Sequence, residues 1–157
     1  MVIKMNINLE KEIVKVLIDK GWKISFAESC TGGLLVATLV NASGCSKVLS
    51  ESYVTYSEEA KMKILNVKKE TIDKNTVYSK EVSIEMASGL KEITKSNVCV
   101  SVTGLAESSD SICKCDYSII VNDRIYTDNA TFIGQRKEVR EQQVNHILGK
   151  ILELIME

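Results

Sequence analysis

A short polar segment, ESCTGG at residues 28–33, carries two side chains that can act as nucleophiles, Ser29 and Cys30. The segment lies between a predicted strand and a predicted helix. The first turn of a helix presents unpaired backbone N–H groups and the positive end of the helix dipole. Such a turn can bind an anion or stabilise the oxyanion of acyl transfer, and the two glycines let a ligand approach the backbone. A structural interpretation stays open, in which Ser29 or Thr31 only caps the helix.

A second segment, YVTYSEEAK at residues 53–61, supplies a candidate base. Lys61 can accept a proton if burial lowers the pKa of its amine, and Ser, Lys and Tyr together are an alternative to the Ser-His-Asp triad. The single histidine, His146, is predicted on the solvent side of the last helix, so a histidine-based triad is not favoured. The alternative is that Lys61 is solvated and Tyr56 packs on the sheet.

Two arginines, Arg136 and Arg140, are spaced i,i+4 at the start of the last predicted helix and therefore share one face. Arginines in this arrangement can clamp a phosphate or a carboxylate. They can equally pair with Glu138 or Glu141 on a hydrated surface.

The five cysteines do not suggest a metal site. No pair has C-x-x-C spacing, and a zinc site needs four suitable ligands close together. We expect five reduced thiols and no metal or cofactor, with a redox or metal role of Cys113 and Cys115 left as an alternative.

Composition limits the function classes. The chain has 157 residues, of which 45% are apolar and 26% charged, with a net charge of −1. These values predict one folded domain over residues 1–157 and no nucleic-acid partner. No apolar run is long enough for a membrane span, and residues 1–10 lack a secretion signal, so we expect a cytoplasmic protein without membrane attachment.

Alternating helical and extended patterns predict an α/β fold, a mixed sheet with helices on its faces. The predicted helices are 8–20, 31–41, 57–65, 80–95 and 136–156, and the predicted strands are 23–27, 48–55, 98–104, 117–121 and 124–132. Ser57 is expected to cap the third helix and Asn66 to end it. The buried face of the fourth helix is predicted to be Val82, Met86, Leu90 and Ile93.

Four motifs together resemble a known family. AESCTGG (27–33), VTYSEEAK (54–61), SVTGLA (101–106) and GQRKEVR (134–140) are similar to the C-terminal domain of the competence/damage-inducible protein CinA. Stand-alone members of that family are nicotinamide-nucleotide amidases. The likeness extends from about residue 8 to about residue 155, and it implies a three-layer α/β/α sandwich and a homo-oligomer.

The resemblance also implies an activity and a site. The family hydrolyses the carboxamide of nicotinamide mononucleotide (NMN), a pyridine nucleotide, to nicotinate mononucleotide and ammonia without a metal. By this resemblance Ser29 is the nucleophile, Lys61 is the base and Tyr56 assists. The substrate-binding positions that it implies are Cys30, Thr31, Gly32 and Gly33 as the oxyanion site, Thr103 and Gly104 in the pocket wall, and Arg136 and Arg140 near the pocket or a subunit contact.

The sequence departs from the family pattern over residues 104–116. Glu107 and Ser108 stand where the family has Gly-Pro, and the loop is shorter and more acidic. A carboxylate at Glu107 or Asp110 is expected to oppose binding of a ligand phosphate. Two alternatives therefore remain: a weak or inactive nucleotide-binding or regulatory module, and an amidase for another small amide. The hydrolase hypothesis requires the Ser29 hydroxyl and the Lys61 amine to converge in one cleft.

Overall fold

A five-stranded sheet forms the centre of the computed structural model, which describes residues 7–157. Residues 1–6 lie outside the described residues. They belong to the segment 1–10, which was not expected to contain a secretion signal. The strands are β1 (Ile24–Glu28), β2 (Tyr53–Val54), β3 (Val98–Gly104), β4 (Ile112–Val121) and β5 (Arg124–Ile133). Their spatial order is β2-β1-β3-β4-β5. The first three run parallel, and β4 and β5 are antiparallel to their neighbours, so the sheet is mixed as predicted.

Helices cover both faces of this sheet. They are α1 (Leu9–Lys20), α2 (Leu34–Leu39), α3 (Glu58–Leu65), α4 (Lys69–Asn75), α5 (Lys80–Thr94) and α6 (Arg136–Ile155). On one face α1, α2 and α6 share a core with Phe26 and Val100 of the sheet. On the other face α3, α4 and α5 pack on Ala27 and Cys99. This arrangement confirms the predicted three-layer α/β/α sandwich.

Local signals set most helix ends. Asn8 caps α1 by accepting the Lys11 N–H, and Gly21 ends this helix in a left-handed conformation. Ser57 caps α3 in the same way, and Asn66 ends it with a φ of 57°. The predicted ends of these two helices are therefore confirmed to within one residue.

The predicted strand over 48–55 is wrong in extent. Only β2 pairs as a strand, with one isolated bridge between Ile24 and Leu49. Between these two points the Ser52 hydroxyl accepts the Phe26 N–H at 3.0 Å, so a side chain replaces the backbone partner that a continuous strand would offer. An alternating apolar pattern in the sequence does not reveal that a side chain takes the place of a backbone partner.

Three other predictions need correction. The helix predicted over 31–41 is only the six residues of α2, because the preceding glycines adopt positive φ angles. Ile93 was predicted on the buried face of α5 but is 42% exposed. The segment 112–116 was assigned to a loop but forms the first half of β4, where Cys113 and Cys115 are buried.

Helices α3 and α5 approach each other closely at Gly89. A Cβ atom on this residue would lie 1.9 Å from the Leu65 carbonyl oxygen. Because real atoms do not approach this closely, only glycine allows the observed packing at this position. The contact sets the position of α3 against α5, and α3 carries Lys61.

Candidate active site

The carboxyl ends of the three parallel strands meet at one edge of the sheet. Ser29 follows β1, Thr55 and Tyr56 follow β2, and Gly104 ends β3. This edge is where α/β proteins commonly bind ligands, because strand-to-helix turns place polar groups around one crevice. The parallel register therefore brings segments together that are more than twenty residues apart in the sequence.

The side chains of Lys61 and Ser29 are in direct contact. The Lys61 Nζ atom lies 2.8 Å from Ser29 Oγ, and it also donates to the carbonyl oxygens of Thr55 at 2.8 Å and Tyr56 at 3.1 Å. The lysine is only 1% exposed. The cap at Ser57 begins α3 so that Lys61 lies in its first turns and reaches back to the strand end.

Burial changes the protonation of this lysine. Removal from water disfavours the ammonium and lowers the Lys61 pKa from the ordinary 10.5 to about 8, although the nearby Glu58 carboxylate partly opposes the shift. At pH 7 the neutral fraction is then roughly 9%, against about 0.03% for an ordinary lysine. A buried amine with a lowered pKa, in contact with a hydroxyl, is suited to general base chemistry.

The turn that holds Ser29 is organised by a buried carboxylate. Glu28 accepts hydrogen bonds from the Thr31 hydroxyl at 2.6 Å and from the N–H groups of Gly33, Leu35 and Val36 at 3.2, 2.8 and 3.0 Å. These contacts satisfy the start of α2, where the positive helix end favours an anion. The residue pattern of the sequence predicted no role for Glu28.

This capping alters the predicted oxyanion site. The Gly32 N–H donates to the Ser29 carbonyl oxygen, and the Gly33 N–H donates to Glu28, so neither is available to a ligand. The N–H groups of Cys30 and Thr31 lie close to the Cys30 sulfur, but Thr31 is fully buried and does not line the cavity above Ser29. Of the four predicted positions, Cys30 is the one that lines this cavity, so its N–H group is the one suited to an oxyanion.

Cys30 is present in its neutral form. Burial raises the pKa of its thiol to about 12, despite the lowering effect of nearby backbone N–H groups and Lys61. Because the thiolate is the nucleophilic form of cysteine, Ser29 is the more suitable nucleophile in this turn.

Tyr56 contacts the pair through its backbone rather than its hydroxyl. Its carbonyl oxygen accepts from Lys61 Nζ and, at 3.4 Å, from Ser29 Oγ. Tyr56 is 60% exposed, and its hydroxyl lies near the Arg136 guanidinium. The sequence pattern selected Tyr56 but did not distinguish between these two groups of the residue.

A cavity of about 330 Å³ opens above Ser29 and Lys61. This volume lies at the lower end of the range for small-molecule sites. The predicted site residues that line it are Ser29, Cys30, Tyr56, Lys61, Gly104 and Arg136.

The other predicted positions do not line the cavity. Thr31, Gly32 and Gly33 belong to the capped turn, and the Thr103 hydroxyl donates to the Val77 carbonyl oxygen. Arg140 donates to the Thr31 carbonyl oxygen at 2.7 Å, so it braces the turn and does not line the cavity.

Neither His146 nor any cysteine other than Cys30 takes part in this site. The exposed His146 lies on α6 and its Nε2 is 3.1 Å from the Tyr117 hydroxyl. Within residues 7–157, no group of three or more His, Cys, Asp or Glu side chains is placed to hold a metal ion. In the same part of the chain, no helix is long and apolar enough to cross a membrane.

Comparison with known proteins gives a consistent result. A family model described as "CinA C-terminal domain" matches residues 6–155. A CinA-like protein of Petrotoga mobilis is 40% identical over 153 residues, covering 94% of this chain and 38% of the relative. A competence-damage inducible protein of Clostridium botulinum is 37% identical over 145 residues, covering 89% of this chain and 36% of the relative. The chain therefore spans less than two-fifths of the length of these relatives.

Solved structures match this chain over nearly the whole length of both proteins. A competence or damage-inducible protein from Enterobacter asburiae superposes with a TM-score of 0.88 at 27% identity, covering 94% of this chain and 96% of that one. The competence/damage inducible protein CihA from Agrobacterium tumefaciens gives a TM-score of 0.82 at 27% identity, and all of both chains is covered.

Proposed function

Because the chain belongs to the CinA C-terminal domain family and holds Lys61 against Ser29, we propose that it is an amidohydrolase acting on the carboxamide of NMN. The products are nicotinate mononucleotide and ammonia. The observation that carries the reaction type is the 2.8 Å contact between a serine hydroxyl and a buried amine with a pKa of about 8. The choice of NMN rests on the family resemblance, and the arginine at the cavity rim is compatible with a phosphorylated ligand.

The first half of the reaction forms an acyl-enzyme. Neutral Lys61 takes the Ser29 proton as the serine oxygen attacks the carboxamide carbon. The resulting oxyanion accepts a hydrogen bond from the Cys30 N–H group. The Lys61 ammonium then returns the proton to the amide nitrogen, the C–N bond breaks and ammonia leaves.

The second half regenerates the enzyme. Lys61, now neutral, takes a proton from a water molecule, which attacks the ester formed on Ser29. The tetrahedral intermediate collapses, the proton returns to the serine oxygen, and the carboxylate product leaves. Over both halves one amide and one water give one carboxylic acid and one ammonia.

The direct test is ammonia release from NMN by the purified protein between pH 6 and pH 9. We expect the rate to rise with pH and to level off above an apparent pKa of about 8, because the neutral amine is the active form. Ser29→Ala should lower the rate by several orders of magnitude, as removal of a nucleophile does. The exposed Ser88 on α5 offers a matched control, since Ser88→Ala removes the same hydroxyl from a position that does not line the cavity.

A second measurement detects the acyl-enzyme. Rapid acid quench followed by intact-mass analysis should show a population heavier by the mass of NMN less ammonia, and Ser29→Ala should not form it. Folded protein that releases no ammonia over this pH range contradicts the proposal. Binding of NMN without turnover would instead favour a nucleotide-binding module.

A further inference from the structure

An ion pair closes one side of the cavity that contains Ser29. Arg136 Nη2 lies 3.1 Å from Glu107 Oε2, and both side chains line the cavity. The same two side chains also line an adjoining cavity of about 530 Å³, which includes Gln135 and Lys137. The pair therefore forms the boundary between the two spaces. Its side chains are 52% and 67% exposed, so a ligand can reach both.

Arg136 is a natural site for an anionic group of a substrate. It is the first residue of α6, whose cap, Gln135, makes no side-chain hydrogen bond to the helix start. The guanidinium and the positive end of the helix therefore act at the same place. Glu107 supplies a carboxylate there, and the Tyr56 hydroxyl lies near the same guanidinium.

The loop that carries Glu107 is anchored on both sides of this residue. The Leu105 carbonyl oxygen accepts from the buried Gln143 side chain at 2.9 Å. On the other side, Asp110 accepts from the Ser108 hydroxyl and from the Ile112 N–H. These contacts hold the Glu107 backbone beside the start of α6, so the pairing with Arg136 follows from the loop structure.

We propose that Glu107 is a specificity-determining residue that weakens binding of the substrate phosphate by occupying Arg136. This inference rests on the proposed function, because it concerns the phosphorylated end of the same substrate. A phosphate at the rim must displace the Glu107 carboxylate or accept its repulsion. An amide substrate without a phosphate meets no such competition. Glu107 therefore lowers the affinity for the phosphorylated substrate relative to the affinity for the unphosphorylated one.

The effect is expected to be modest because the ion pair is solvent-exposed. Pairs of this kind change equilibrium constants by about two- to fivefold. Glu107→Gln should therefore raise NMN affinity by about two- to fivefold, and the gain should shrink as salt screens the charges. Affinity for nicotinamide riboside, which has the same amide and no phosphate, should not change.

Calorimetric titration in a Ser29→Ala background measures both affinities without turnover. The matched control is Glu141→Gln, which removes the same charge from an exposed position of α6 outside both cavities. A further control repeats Glu107→Gln in an Arg136→Gln background, where the gain in NMN affinity should disappear. A merely structural role of Glu107 would not produce this phosphate-specific, arginine-dependent pattern.

The outcomes separate the two proposals. Unchanged NMN affinity, an equal gain for both ligands, or the same gain in Glu141→Gln would overturn the role of Glu107 while ammonia release by the Ser29-containing protein still stands. If neither ligand binds and no ammonia is released, the proposed function fails, and the role of Glu107 fails with it.

Discussion

Replacing Lys61 with methionine separates the buried charge from the rest of the structure. Methionine has a similar length and no titratable group, so it fills the space without the amine. It also leaves the carbonyl oxygens of Thr55 and Tyr56 without their donor, which costs stability at every pH. The informative quantity is therefore how the free energy of unfolding changes with pH, because the loss of these hydrogen bonds does not depend on pH.

The expected size follows from the pKa shift. Lys61 has a pKa of about 8 when folded and takes the ordinary value of 10.5 when unfolded. The unfolded chain thus binds this proton more tightly, so at pH 7 protonation costs the folded state roughly 3 kcal/mol. Stability rises as the pH passes the folded pKa and stops rising above the unfolded value. From pH 7 to pH 9 the gain from this residue is about 1.3 kcal/mol.

Urea unfolding at pH 7, 8 and 9 provides the assay. Between pH 7 and pH 9 the unfolding free energy of Lys61→Met should fall by about 1.3 kcal/mol relative to that of the wild type, because the variant lacks the gain that Lys61 provides. Lys63→Met, a change on the exposed side of the same helix, should follow the wild-type curve. Parallel curves for the wild type and Lys61→Met would mean that Lys61 has an ordinary pKa. Neutral base would then be nearly absent at pH 7, and the proposed mechanism would lose its proton acceptor.

Four further substitutions test the scaffold and the site. Gly89→Ala should lower the free energy of unfolding by about 2 kcal/mol or more, because the new Cβ meets the Leu65 carbonyl oxygen. Gly149→Ala should raise this free energy by about 1 kcal/mol, because its Cβ meets no atom within 4 Å. Urea unfolding measures both changes. Glu28→Gln should lower the unfolding free energy by about 3 kcal/mol in the same assay, because an amide donor then faces N–H groups that need an acceptor. Tyr56→Phe should lower kcat for ammonia release far less than the roughly 100-fold expected for loss of an acid–base catalyst. The reason is that Tyr56 contacts the Ser29–Lys61 pair through its carbonyl oxygen and not through its hydroxyl. A loss of roughly 100-fold would show that the hydroxyl acts in the reaction.

Predictions from local sequence were accurate where short-range chemistry decides the outcome. Ser57 caps α3 as predicted, because its side-chain oxygen reaches the N–H group three residues later. The run 98–104 forms a central strand because β-branched side chains suit a buried sheet. Such signals depend on neighbours within a few residues, and a single sequence contains them.

Other features depended on partners distant in sequence. The strand predicted over 48–55 is mostly unpaired because a serine hydroxyl takes the place of a backbone group on β1. Arg140 was predicted near the pocket or a subunit contact, and the structure shows that it binds the carbonyl oxygen of Thr31, a residue 109 positions away. Neither contact has a local signature, since each is made only after the helices pack against the sheet.

The candidate site divides in the same way. By itself, the sequence determined which groups are present: a serine in a polar turn after a strand, and a lysine one turn into a capped helix. Only the tertiary structure decided that Nζ of Lys61 lies 2.8 Å from Oγ of Ser29, through the parallel register of β1 and β2. The fold also removes the amine from water, and desolvation is what lowers its pKa. Residue type can therefore be read from the chain, whereas reactivity depends on the packing that excludes solvent.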